Sequence, residues 1–171
     1  MSWKEGVVLI GMAGAGKSTI GSALAKTLGF SFTDLDEYIR EKYGKTVQDI
    51  INSSGEQALL QLEKQSMYEI GMNRRVIAPG GSIIYHADLM EYLKHKSVLI
   101  YLDDTFENIE GKLKNASTRG IIGFKSKSLR EIYDERRPLY SKYSHIIVHL
   151  VGKSPEQVIS EIVNRCQELM I

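Results

Sequence analysis

The chain has one cysteine in 171 residues, almost no charge imbalance and no long apolar run, and each shortage removes a class of protein. Cys166 has no second cysteine to pair with, so no disulfide staples the fold within one chain, and a reducing compartment suits it. On a terminal helix that thiol reads as a small apolar packing residue. The 22 basic and 21 acidic residues leave a formal charge of +1. A field that weak does not recruit nucleic acid or an anionic membrane. The apolar runs stop well short of the about 18 residues of a membrane span, and residues 7–10 meet glycines too soon for a signal-peptide core. A soluble, cytoplasmic protein is expected. Repeats, low-complexity tracts and Pro/Gly/Ser-rich linkers are also missing. Residues 1–171 therefore read as a single domain, large enough to bury roughly 70% of the unfolded surface.

What is present is an alternation. Short apolar runs at 7–10, 30–36, 76–81, 97–103 and 144–150 read as strands. Amphipathic patterns at 17–28, 35–43, 47–52, 57–72, 87–94, 106–114, 128–143 and 155–168 read as helices. Strands alternating with helices predict an α/β fold with a parallel sheet covered on both faces. Ligands in such sheets bind beyond the strand C-terminal ends. Those ends carry the glycines 11–16, the pair Asp34 and Asp36, and the pair Gly80 and Gly81.

The string GMAGAGKST fits G-x-x-x-x-G-K-[ST] as Gly11, Gly16, Lys17 and Ser18, between a strand and a helix. Glycines let successive backbone N–H groups converge on phosphate oxygens, and the following helix adds its positive N-terminal dipole. The candidate nucleotide-binding segment runs from Gly11 through Gly14, Ala15 and Gly16 to Lys17, Ser18 and Thr19. Lys17 is expected at the β- and γ-phosphates and the Ser18 hydroxyl at Mg²⁺. ATP and Mg²⁺ are thus the expected cofactors. The guanine-reading N-K-x-D of GTPases is missing. Ile100–Asp104 offers only a faint echo of a motor ATPase's acidic strand. The small size and the acid-rich second strand favour a small-molecule kinase.

From here the sequence resembles the shikimate kinase family. The stretch FTDLDEYIREKYGKTVQDIINSSGEQALLQLE resembles that family's D-x-D, G-x-[ST]-[IV] and G-E-x-x-F-R-x-x-E in order. Asp34 and Asp36 fall on the first element, Gly44, Thr46 and Val47 on the second, and Gly55, Glu56 and Glu63 on the third. VIAPGGS resembles V-I-A-T-G-G-G, and ERRPLYSKYSHIIV resembles R-x-P-L-Y followed by the last strand. The resemblance implies a three-layer α/β/α, nucleoside-monophosphate-kinase-like P-loop fold with a five-stranded parallel sheet. It also implies a substrate-binding insert at 34–63, a lid at 112–127, and ATP-dependent phosphorylation of a hydroxyl on shikimate or a related polyhydroxylated acid. A kinase for another polyol or sugar acid, or a non-catalytic nucleotide-binding homologue, are the alternatives. The partner expected is a small-molecule substrate, with no nucleic acid or membrane, and the chain is expected to be a monomer.

Site residues follow from the same resemblance. Asp36 is expected to orient the acceptor hydroxyl and take its proton, and Asp34 to hold Mg²⁺ through water; acids opening the next helix are the other reading of this pair. Arg119 is expected to close over the β,γ-bridge with Lys17 as the other catalytic cation, Lys112 to lie near adenine, and Gly80, Gly81 and Arg136 to contact substrate. Three departures stand out. Leu59 and Leu60 replace the family's Phe-Arg, Pro79-Gly80-Gly81-Ser82 replaces T-G-G-G, and Arg119-Gly120-Ile121-Ile122 replaces R-P-L-L. The lost arginine is a carboxylate-holding group in the family; Arg74, Arg75 and Lys64 are the nearest substitutes by sequence.

Overall fold

The computed structural model describes residues 4–115 and 120–170. Among these residues, five strands form one parallel sheet in the order β2-β3-β1-β4-β5: β1 Gly6–Ile10, β2 Ser31–Asp34, β3 Arg75–Ala78, β4 Ser97–Asp103 and β5 Ile146–His149. Register is set by pairs such as Val7 with Val76 and with Val98, and Asp34 with Ala78. Every residue of β1 and β4 is buried. Helices cover both faces of these central strands, so their apolar pattern is continuous rather than alternating.

Among the described residues, eight α-helices surround the sheet: α1 Lys17–Leu28, α2 Leu35–Tyr43, α3 Val47–Ser54, α4 Glu56–Ile70, α5 Ala87–Lys96, α6 Phe106–Asn115, α7 Leu129–Tyr143 and α8 Pro155–Met170. Contacts pair α1 with α8, and α5 with α7. Helices α2 to α4 pack on one another beyond the end of β2. From β1 the chain crosses to β2, returns through β3, and only then passes to β4 on the other side of β1. That reversal opens a crevice at the C-terminal end of β1, where doubly wound sheets bind ligands.

Local chemistry moves two strand ends inward from the sequence reading. Residues 35 and 36, read both as the end of a strand and as the start of a helix over 35–43, begin α2, because the Asp34 carboxylate accepts a hydrogen bond from Glu37 N at 3.2 Å and caps the helix. The third strand stops at Ala78 rather than 81, because Pro79 has no N–H for the ladder. A 3₁₀ helix, Gly81–Tyr85, follows it.

Helix α1 approaches the sheet closely at Gly21, where a Cβ would lie 2.6 Å from Phe32 Cε2 and 3.3 Å from Leu9 Cδ1. Overpacking costs about 1–3 kcal/mol, and alanine's better helix propensity returns about 1 kcal/mol. Gly21→Ala is therefore expected to destabilise the fold by about 1 kcal/mol, measured as a lower urea midpoint with unchanged slope.

Candidate active site

The loop between β1 and α1 is shaped by its glycines. Gly11 has φ +151°, and a Cβ there would lie 2.8 Å from Leu102 O, so no larger residue lets the chain pass β4. Gly16 caps α1 in the left-handed conformation, φ 87°, and no side chain caps that helix. Its first-turn amides thus remain available, and the dipole adds positive potential there. An anion of phosphate type fits this cradle.

Lys17 follows directly and is buried. Its Nζ donates to Gly11 O at 2.7 Å and to Met12 O at 2.8 Å, so the ammonium folds back over the loop. Burial lowers its pKa to about 8, with Asp36 and Asp34 opposing the shift. One residue on, the Ser18 hydroxyl donates to Asp34 Oδ2, while Asp34 Oδ1 caps α2. This adjacent hydroxyl and carboxylate make a hard oxygen donor pair suited to Mg²⁺. No cluster of three or more His, Cys, Asp or Glu side chains occurs among the described residues. A magnesium ion held here would therefore take its remaining ligands from phosphate and water, as that ion commonly does.

A cavity of about 310 Å³ opens from this loop across the ends of β2 and β3. Gly14, Gly16, Lys17, Ser18 and Thr19 line it from the loop and α1, joined by Asp34 through its bond to Ser18, and Asp36, Glu63, Gly80, Gly81 and Arg136 line it from other elements. The Asp36 carboxyl opens into the cavity, and the surrounding walls together with Asp34 push its pKa up to about 6, against the pull of Lys17. Arg136 is buried at 2% exposure; Nη2 donates to Ile122 O at 2.8 Å, Nε donates to Tyr85 OH at 3.3 Å, and the guanidinium lies over the Tyr85 ring. Tyr140 OH donates to Gly81 O at 2.7 Å. A Cβ on Gly81 would stand 2.8 Å from Arg136 Nη1 and 3.0 Å from Tyr140 OH, so any larger residue there displaces these two side chains.

The remaining candidates lie apart from this cavity or outside the description. Gly11 does not line it; its carbonyl holds Lys17. Ala15 and Lys112 line a neighbouring cavity of about 340 Å³, which Gly16 and Thr19 join to the loop and which Asp104, Asn108 and Pro155 also border. Lys112 Nζ sits 3.1 Å from the buried carboxylate of Asp104. Arg119 lies outside the described residues. Just after it, Gly120 N donates to Gln48 Oε1 at 2.7 Å and Gly123 N to Glu56 Oε1 at 3.0 Å. Residues 120–123 are thereby fastened to α3 and α4, and Ile121 and Ile122 close one side of the cavity.

Lys64, Arg74 and Arg75 do not replace the absent arginine. Lys64 pairs with Asp88, Arg74 donates to Gly29 O, and Arg75 donates to Ile70 O; none lines the cavity. Leu60 packs against the core instead of lining it. Two polar side chains of the cavity carried no assigned role in the sequence reading, Glu63 and Ser82, although Glu63 falls on the family's third motif. The available signal was periodicity: Leu59, Glu63 and Met67 share the buried stripe of α4, and an acid on such a stripe needs a reason.

Comparison with known proteins supplies the family. Residues 13–167 match the profile of "Shikimate kinase". A shikimate kinase from Persephonella marina is 32% identical over 160 residues, covering 93% of this chain and 97% of its own. One from Rippkaea orientalis is 35% identical over 159 residues, covering 91% and 84%. Among solved structures, shikimate kinase from Acinetobacter baumannii in complex with shikimate superposes with a TM-score of 0.86 at 27% identity, over 98% of this chain and 95% of that one. The likeness runs from the glycine loop to the last helix and includes both ends of the cavity, so this chain belongs to the shikimate kinase family.

Proposed function

We propose that the chain transfers the γ-phosphoryl group of ATP to a hydroxyl of shikimate. One observation carries the reading: a single cavity joins a phosphate cradle to a second set of polar groups that could hold an alcohol. Family membership supplies ATP as donor and a hydroxyl as acceptor.

Phosphoryl transfer demands positioning and charge neutralisation more than covalent help from the protein. The amides at the start of α1 take phosphate oxygens, and Lys17 exchanges the carbonyls of Gly11 and Met12 for the β- and γ-phosphates. Ser18 and Asp34 would hold Mg²⁺, which supplies charge neutralisation at the phosphate oxygens. Asp36 accepts a hydrogen bond from the acceptor hydroxyl and takes its proton as the new O–P bond forms. Arg136 anchors an anionic group of the acceptor, and Gly80 and Gly81 let the backbone approach it. Helices α2 to α4 act as the insert that carries the acceptor, and residues 120–127 form part of the lid.

The test is ADP release from purified protein supplied with ATP, Mg²⁺ and shikimate. Turnover is expected only when all three are present, and EDTA is expected to abolish it. ATP binding without shikimate-dependent ADP release would remove shikimate as acceptor. A related polyhydroxylated acid is the second reading. It is favoured by Arg136 being the only cation described on the acceptor side of the cavity, and an acceptor panel separates the two.

A further inference from the structure

Glu63 is a buried acid that the mechanism above leaves unused. It is 2% exposed and forms no ion pair among the described residues. Its Oε2 accepts a hydrogen bond from Ser82 Oγ at 2.9 Å. Its Oε1 stands 2.9 Å from where a Cβ on Gly80 would lie, just as Arg136 Nη1 crowds the Cβ position of Gly81. Glu63 and Arg136 thus occupy the space vacated by two consecutive glycines, and both line the acceptor half of the cavity.

A hydroxyl can satisfy a carboxylate oxygen but cannot balance its charge, and a buried unpaired charge is costly. The charged groups that share the cavity with Glu63 are Asp34 at the end of β2, Asp36 from α2, Arg136 from α7 and Lys17 from α1; Ser82 faces it from the 3₁₀ helix. Asp36 repels a charge on Glu63, and Arg136 attracts it without touching it. Burial is the larger effect and pushes the Glu63 pKa up to about 8.

We propose that Glu63 determines acceptor specificity as a neutral carboxyl, its Oε1–H donating a hydrogen bond to the anionic group that Arg136 anchors; this rests on the acceptor reading given above. With Ser82 donating to Oε2, the proton resides on Oε1. One cation and one neutral donor then grip an acceptor carboxylate, where the described residues place no second cation beside Arg136. Ionised Glu63 repels that same carboxylate. The site therefore selects an anionic acceptor at neutral pH and releases it in alkali.

Two measurements test this. In protein labelled with ¹³C at the glutamate carboxyls, the Glu63 resonance, assigned by its loss in Glu63→Gln, is expected to titrate in the alkaline range. Titration in the ordinary carboxylate range overturns the inference whether or not shikimate is the acceptor. The second is the acceptor KM against pH at saturating ATP, where phosphate holds Lys17 charged. It is expected to rise above pH about 8, approaching about tenfold per pH unit, the limit for one proton. Glu63→Gln still donates but cannot ionise, and is expected to abolish the rise. Any rise due to Lys17 persists in that variant, so an unchanged profile in Glu63→Gln also overturns the inference. Absence of shikimate turnover with alkaline titration of Glu63 would instead defeat the acceptor identity and leave the neutral carboxyl standing.

Discussion

Replacing Lys17 with methionine is expected to lower kcat by about 10²–10³-fold, the loss typical of one preorganised donor to developing transition-state charge. The effect is large because the ammonium is already desolvated and needs only to exchange partners. In the unliganded protein it is bonded to Gly11 O and Met12 O. Burial lowers its pKa to about 8 from 10.5. Between those values the unfolded chain binds more protons than the folded one, so this group makes stability rise with pH through that window and weighs fully against folding below about 8. Methionine removes that burden but leaves Gly11 O without a donor among the described residues, at a cost of about 1–3 kcal/mol, while Met12 O keeps its bond from Ala15 N. These terms are of the same order and oppose each other. Lys17→Met is therefore expected to melt within a few degrees of the original protein while losing most of the stabilisation that ATP confers. Thermal melts with and without ATP, run beside the ADP-release assay, measure both. A kcat within tenfold of the original would show that Lys17 does not meet the transferring phosphoryl group.

Asp36→Asn is expected to reduce kcat by about 10²–10⁴-fold, the range for a positioned proton acceptor. Asparagine keeps the shape and can still bond the acceptor, so KM for the acceptor is expected to change far less than kcat. The pH profile gives a second readout. The desolvating cavity walls first and Asp34 second raise Asp36, whose side chain keeps contact with solvent, to about 6, and only the ionised form accepts a proton. kcat/KM is thus expected to fall as pH drops through about 6, and this acid limb is expected to vanish in Asp36→Asn. An acid limb that survives the substitution would assign the proton acceptor elsewhere.

Legibility followed the range of the interactions involved. The β1 and β4 runs, VVLI and SVLIYLD, read directly as buried strands, since continuous apolar residues suit strands covered on both faces. The glycine loop was equally plain, because its backbone conformation depends on residue type at adjacent positions. Strand ends were less plain. Phe30–Asp36 mixes apolar and acidic residues and overlaps the helical pattern at 35–43, and the Asp34 side chain bonding to Glu37 N decides between the two readings. The 3₁₀ helix after β3 has no periodic signature in five residues.

The amino-acid sequence by itself determined a parallel α/β chain, a phosphate-binding loop at its first turn, and the family, all of which depend on contacts between near neighbours or on motif order. Only the tertiary structure decided what faces what across the cavity. It laid Leu60 against the core, sent Lys64, Arg74 and Arg75 elsewhere, and set Glu63 against Ser82 and the glycine wall. Such choices depend on packing between segments distant along the chain, where a one-residue change of helical phase moves a side chain by about 100° around the axis. The charge state of a buried acid is set by those distant neighbours.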